Sequence, residues 1–138
     1  ASLADRAFRT RFLACSCCPG GPCWLELGAG VGLASLVAAA STCDEPSPPH
    51  LVATDRAALL PLLTANQAVN AAAAPNVSAL PLDWYRNDDC HSILATHPNI
   101  SLVFGADLSY DLDHLDALVS TIVTLLGRSA CQDPRCLI

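Results

Sequence analysis

The sequence predicts an α/β fold in which helices cover both faces of a parallel sheet. Short apolar runs alternate with segments of helical periodicity, and connections rich in proline or glycine separate them. A glycine-rich turn, residues 28–32, directly follows the first strong apolar run and precedes a helical segment. Strands that alternate with helices in this way build parallel sheets. The 138 residues are enough for one such domain.

Apolar runs and helical spacing assign the elements along the chain. The helix predicted over 57–70 carries Pro61, which a helix tolerates only in its first turn. Gly127 is expected to end the last helix, and the polar segment 83–99 is expected to be mostly loop. The predicted strands are residues 23–27, 51–54, 77–80, 100–106 and a last one that begins at 135. The predicted helices are residues 4–14, 33–40, 57–70 and 111–126.

Composition and charge exclude two kinds of partner. No apolar run approaches the roughly 18 residues that a membrane span requires, and a net charge of −6 argues against a nucleic-acid-binding surface. We therefore expect neither a membrane nor a nucleic-acid partner. Arginines interrupt the apolar residues near the start, so no secretory signal is predicted. A cytoplasmic location is expected, with the nucleus as the alternative.

The eight cysteines raise the question of a disulfide or zinc site. Cys15, Cys17, Cys18 and Cys23 cluster in the sequence, but paired C-x-x-C units at zinc-finger spacing are missing. We therefore expect reduced, partly buried thiols and no metal site.

The chain contains no methionine, not even at position 1. We therefore expect it to be a piece of a longer product. Residues 1–22 are expected to lead into a domain over 23–138 whose last strand is incomplete.

The spacing of the glycine turn restricts the ligand it can bind. A dinucleotide fold requires G-x-G-x-x-G, but here the third glycine comes one position early and Leu33 takes its place. Without a following Gly-Lys-Ser/Thr the turn is not a phosphate-binding Walker loop. G-x-G-x-G with an acidic residue, Glu26, two positions before the first glycine is typical of S-adenosylmethionine sites.

Polar and aromatic side chains follow the later strands at the positions where a ligand of such a sheet lies. Asp55 follows the second strand and is suited to accept hydrogen bonds from ribose hydroxyls, although it also fits a helix N-cap. Asp83 and Trp84 follow the third strand and offer an acceptor and a stacking face to adenine; a core tryptophan beside a solvated aspartate is the alternative. Asp107 follows the fourth strand, where helix capping is the competing role.

These motifs together resemble methyltransferase family 16, the seven-strand protein-lysine methyltransferases that use S-adenosylmethionine. The resemblance runs from about Cys23 to Ile138, and the D-x-x-Y element formed by Asp107 and Tyr110 is its distinctive part. It implies a Rossmann-like, doubly wound sheet of seven strands, of which this chain carries about five and is incomplete at its C-terminus. It also implies a protein substrate methylated on lysine.

The resemblance assigns roles to individual residues. Asp107 and Tyr110 would border the channel for the substrate lysine, as the catalytic pair. The residues expected to bind S-adenosylmethionine are Glu26, Gly28, Ala29, Gly30, Gly32, Asp55, Asp83, Trp84 and Ala106. Two other functions remain open: a methyltransferase that acts on a small molecule or nucleic acid, and an inactive interaction module that keeps the fold. A dehydrogenase is disfavoured by the glycine spacing.

Overall fold

A computed structural model of the chain describes residues 17, 18, 20–108 and 112–138. Within these ranges five strands form one sheet in the order β3-β2-β1-β4-β5, and every neighbouring pair is parallel. The α/β prediction is confirmed. The strands are β1 (Cys23–Glu26), β2 (His50–Asp55), β3 (Val77–Pro81), β4 (Ile100–Phe104) and β5 (Arg135–Leu137).

Four α-helices connect the strands. They are α1 (Leu33–Thr42), α2 (Leu60–Asn70), α3 (Asn87–Thr96) and α4 (Leu115–Arg128). A 3₁₀ turn, Ala57–Leu59, leads into α2, and another, Leu112–His114, leads into α4. Pro61 lies in the first turn of α2, where its missing N–H costs no helical hydrogen bond, as predicted.

Side chains alternate between the two faces of the sheet, and each face has its own core. On β1, Cys23 and Leu25 pack with buried residues of α3 and α4, whereas Trp24 packs with residues of α1 and α2. Trp24 is only 3% exposed. Helices therefore cover the sheet on both sides, the doubly wound arrangement in which central strands are apolar throughout.

The strand order places a topological switch between β1 and β4. The chain builds outward from β1 through β2 to β3, and then returns to the other side of β1 with β4. Ligands of open α/β sheets bind outside the carboxyl ends of the strands at such a switch.

Two local predictions were wrong. Residues 87–96 form α3 rather than loop, because Cys90 and Ile93 bury one side of a helix whose first turn carries Asp88 and Asp89. Gly127 does not end α4: the helix continues to Arg128, and the extended residue Ser129 ends it. The helix predicted over residues 4–14 lies outside the described residues.

Across the described residues, no helix combines the length and the apolar character needed to cross a membrane.

Candidate functional site

A cavity of about 270 Å³ opens at the carboxyl ends of the strands. Five residues predicted from the sequence line it, together with residues of the adjoining turns and helices. The lining consists of Gly28, Asp55, Arg56, Leu59, Leu82, Asp83, Trp84, Tyr85, Asp107, Leu108 and His114. Motifs from four strand ends therefore meet in one place, as parallel strands require.

Backbone hydrogen bonds attach the start of the glycine turn to β4 on one side of β1 and to β2 on the other. The Leu27 N–H donates to the Phe104 carbonyl at 2.8 Å, and the Ala29 N–H donates to the Thr54 carbonyl at 2.9 Å. Gly28 and Gly30 have φ of 59° and 55°, a conformation that residues with a Cβ rarely adopt. At Gly30 an added Cβ would meet no atom within 4 Å, so the space beside this backbone is open.

Leu108 packs against Gly28 and Gly105 and forms part of the cavity wall. A Cβ on Gly28 would lie 2.7 Å from Leu108 Cδ2, and a Cβ on Gly105 would also overlap the leucine side chain. Leu108 is 5% exposed. The two glycines thus make the space into which this side chain fits.

Glu26 is buried beneath the turn and holds the start of α1. Its Oε2 accepts hydrogen bonds from the Ser35 N–H at 3.0 Å and the Ser35 hydroxyl at 2.5 Å. Burial, together with the negative charge of Asp55, raises the pKa of Glu26, while the two Ser35 hydrogen bonds oppose this rise. Glu26 does not line the cavity, so its contact is with the helix that follows the turn.

Asp55 ties the glycine turn to the end of β2. Its Oδ2 accepts from the Gly30 N–H at 2.8 Å and its Oδ1 from the Arg56 N–H at 2.7 Å. A carboxylate offers about four acceptor sites, so each oxygen retains one for a ligand. Asp55 is 8% exposed and lines the cavity.

The turn after β3 presents Asp83, Trp84 and Tyr85 to the cavity. Asp83 Oδ1 accepts from the Tyr85 N–H at 3.0 Å, and the Asp83 N–H donates to Asp89 Oδ2 at 3.0 Å. The Thr121 hydroxyl donates to the Trp84 carbonyl at 3.3 Å. Helices α3 and α4 therefore fix this turn, and the half-buried indole of Trp84 stays in the cavity wall.

The fourth strand end places Asp107 at the cavity in a left-handed conformation. Its φ of 58° makes it the one non-glycine residue with positive φ in the described part of the chain. Aspartate tolerates this region better than most residues. Asp107 and the preceding Ala106 are exposed. Tyr110, predicted as its partner, lies outside the described residues.

Sequence reasoning missed several residues of the cavity wall. The Tyr85 hydroxyl lies 2.6 Å from His114 Nδ1, and the two rings meet edge to face with centroids 5.7 Å apart. This pair joins the β3 turn to the segment before α4. Tyr85 directly follows Trp84 in the turn after β3, and this position at a strand end was the feature of the sequence that could have identified it as a cavity residue. Arg56, Leu59 and Leu108 were also missed.

Of the ten predicted residues that the structure describes, five line the cavity and five do not. Gly28, Asp55, Asp83, Trp84 and Asp107 line the cavity. The other five are Glu26, Ala29, Gly30, Gly32 and Ala106. In the turn, the Gly30 N–H donates to Asp55, and the Gly32 N–H donates to the Ala29 carbonyl at 2.7 Å.

The fold and the cavity define a class: Rossmann-like α/β domains with a ligand site at the switch point of the sheet. Within that class, a family model described as "Lysine methyltransferase" matches residues 21–137. The chain belongs to this family. It is a methyltransferase-family domain, and the family implies S-adenosylmethionine as its cofactor.

Other comparisons add little. No curated protein matches the chain. Among solved structures, the carbonyl reductase Sniffer of D. melanogaster is similar at 22% identity and a TM-score of 0.47. That similarity covers 78% of this chain and 49% of the reductase, so this chain spans about half the length of that structure. A likeness of this size has no implication for function.

Proposed function

We propose that this chain is the core of an S-adenosylmethionine-dependent methyltransferase that methylates a lysine side chain of a protein substrate. The observation that carries the proposal is the meeting of the glycine turn, Asp55, Trp84 and Asp107 around one cavity at the switch point. Family membership supports the reaction class. The description of the family suggests lysine as the methylated side chain.

The residues present fit the cofactor. Gly28 brings backbone without a side chain to the cavity wall, and Asp55 retains acceptor sites for ribose hydroxyls. Trp84 offers a ring face for adenine, beside the carboxylate of Asp83. When bound, the cofactor supplies the methyl group, which it carries on a cationic sulfonium. The site's own contribution is alignment of the acceptor and exclusion of water.

The charge of the cavity wall favours cationic ligands. Asp55, Asp83 and Asp107 supply three carboxylates, against one guanidinium from Arg56. Such a cavity attracts a lysine ammonium as well as a cationic cofactor. A polyanionic substrate such as a nucleic acid would be repelled, which favours a protein substrate over the nucleic-acid alternative.

Asp107 is the residue proposed to receive the substrate amine. Its exposed carboxylate lies at the cavity and is able to accept a hydrogen bond from an entering ammonium. Lysine has a pKa of ~10.4 and must lose a proton before its nitrogen becomes a nucleophile. We propose that Asp107 orients the amine while the proton leaves to water, with Tyr110 as the expected second boundary of the channel.

Calorimetric titration with S-adenosylhomocysteine tests the cofactor site. We expect binding by the parent chain and a loss of at least about tenfold (about 1.4 kcal/mol) in Asp55→Ala. Asp44→Ala is the matched control, because Asp44 is exposed in the loop after α1 and its loss should leave the affinity unchanged. A folded parent that does not bind would contradict the enzyme assignment and favour the inactive interaction module.

Labelled S-adenosylmethionine tests the substrate class. The chain is incubated with protein, nucleic-acid and small-molecule fractions, and protein hydrolysates are searched for methylated lysine. We expect label in protein lysine, and a reduced rate in Asp107→Asn with unchanged affinity for S-adenosylhomocysteine. Label confined to nucleic acid or small molecules would refute the lysine proposal but keep the methyltransferase. We propose a cytoplasmic or nuclear setting.

A further inference from the structure

Three cysteine sulfurs meet at the opposite end of the sheet from the cavity. Cys17 Sγ lies 3.6 Å from Cys131 Sγ and 3.9 Å from Cys18 Sγ, and all three sulfurs lie within 4.8 Å of one another. Cys17 and Cys18 precede β1, and Cys131 lies between α4 and β5. Cys18 and Cys131 are buried, and Cys17 is partly buried.

The spacing of the sulfurs matches one face of a zinc tetrahedron. A Zn–S bond of about 2.3 Å gives a tetrahedral edge of about 3.8 Å between sulfurs. The two measured edges, 3.6 and 3.9 Å, lie on either side of that value. Adjacent cysteines usually project apart, but here both sulfurs of the 17–18 pair face the same point, which is the arrangement that a shared ion requires.

The surroundings of the cluster suit a charged sulfur and hold it in place. The Gln132 N–H donates to Cys17 Sγ at 3.4 Å, a contact that stabilises a thiolate. The Cys131 N–H donates to Ser129 Oγ at 3.1 Å, and that hydroxyl donates to the Ile100 carbonyl at 2.7 Å. The loop that carries Cys131 is therefore fixed to the start of β4.

We propose that Cys17, Cys18 and Cys131 bind a structural zinc ion. Thiolates select soft cations such as zinc over magnesium or calcium. On binding, each thiol S–H bond breaks and its proton passes to the buffer. The electron pair left on each sulfur then forms a bond to Zn²⁺, and nothing is oxidised or reduced. The described residues supply three ligands. Water completes the tetrahedron.

The ion would join the segment before β1 to the loop after α4. Cys17 and Cys131 are 114 residues apart in the sequence, so a shared ion closes nearly the whole domain into one loop. Such a cross-link restricts the unfolded chain most when the loop is long. The proposal departs from the expectation of metal-free thiols, which considered only ligands close in sequence. It is independent of the methyltransferase proposal.

Zinc content of the purified chain tests the proposal. The chain is prepared under reducing conditions, supplied with ZnCl₂, desalted and analysed for zinc by mass spectrometry. We expect one zinc per chain, and its loss in Cys17→Ser and in Cys131→Ser. Cys43→Ser and Cys136→Ser are matched controls, because both cysteines are exposed and lie outside the cluster, and both variants should keep the ion.

Two further measurements separate metal binding from misfolding. Zinc should raise the thermal midpoint of the parent chain but not that of Cys17→Ser, whose fold is checked by circular dichroism. Cobalt substitution should give a sulfur-to-cobalt charge-transfer band with the intensity of three thiolates. Zinc well below one per chain, equal zinc in Cys17→Ser, or a Cys17–Cys131 disulfide in the reduced preparation would overturn the proposal.

Discussion

Replacing Gly28 with alanine tests the packing that shapes the cavity wall. Gly28 has φ of 59°, and an added Cβ would lie 2.7 Å from Leu108 Cδ2. The left-handed backbone costs a residue with a Cβ about 1–2 kcal/mol. Leu108 has little room to move away from Gly28, because it is buried and its Cδ1 already packs against the backbone of Gly105. Overpacking adds about 1–3 kcal/mol, so we expect Gly28→Ala to lower the free energy of unfolding by about 3 kcal/mol.

Gly30→Ala is the matched control for the backbone contribution. Gly30 has nearly the same φ, 55°, but an added Cβ there meets no atom within 4 Å. We expect a loss of only about 1–2 kcal/mol. The difference between the two variants, about 1–3 kcal/mol, isolates the clash with Leu108.

Urea denaturation of the parent, the two glycine variants, Leu108→Ala and the double variant Gly28→Ala/Leu108→Ala measures these free energies. If the clash is real, truncating Leu108 relieves it, and the double variant loses about 1–3 kcal/mol less than the sum of the single losses. Equal losses for Gly28→Ala and Gly30→Ala, with strict additivity in the double variant, would refute the packing argument.

Three further predictions concern stability. Leu125 on α4 is fully buried, so Leu125→Ala should lose about 2–5 kcal/mol in chemical denaturation, whereas Val123→Ala on the same helix, 64% exposed, should stay within about 0.5 kcal/mol of the parent. Burial raises the folded-state pKa of Glu26 above 4.5, so its stabilising contribution is full below that pH and is lost as the pH rises through the raised pKa. Glu26→Gln cannot ionise, so its free energy of unfolding should rise relative to that of the parent as the pH increases above 4.5; a pH-independent difference would contradict this. Burial lowers the pKa of His50 and of His97, whose rings stack 5.3 Å apart, and the charge of His97 lowers that of His50 further. The contribution of these neutral histidines to the free energy of unfolding is full above pH 6.5 and is lost as the pH falls through the lowered pKa. His50→Gln should therefore reduce the loss of unfolding free energy at acid pH, as measured by urea denaturation across the pH range.

The central features of the fold could be predicted because each has a local cause. The apolar run before Gly28 and the glycine turn itself predict a strand followed by a helix, and parallel strands bring their carboxyl ends to one edge. The sequence therefore predicts that Asp55, Trp84 and Asp107 lie in one place, and all three line the cavity. Their roles toward a ligand stay predictions.

The missed features depend on tertiary contacts. Helix α3 is polar over most of its length: only Cys90 and Ile93 are buried, and Leu94 packs against the same core while partly exposed. Two buried positions are too few to give a clear helical period. Leu108 was overlooked because a leucine in a turn has no chemical signature, and its place follows from the absence of a Cβ on Gly28 and Gly105.

Gly127 shows the opposite error, in which a local rule was overridden. Glycine commonly ends a helix, but here it sits inside the last turn of α4, and the chain leaves the helix at Ser129. The Ser129 hydroxyl donates to the Ile100 carbonyl, so the end of α4 is set by its attachment to β4. Propensity is a weak guide where such an anchor exists.

The positions of the two tryptophans give this protein a built-in pair of fluorescence reporters. Trp24 is sealed in the core on the α1 and α2 side of the sheet, whereas Trp84 is half-buried in the cavity wall. A ring that stacks on Trp84 should quench its red-shifted emission and leave the blue-shifted emission of Trp24 unchanged. Loss of the fold should instead move the Trp24 emission to the red. Occupancy of the cavity and integrity of the core are therefore readable separately, from one unlabelled sample.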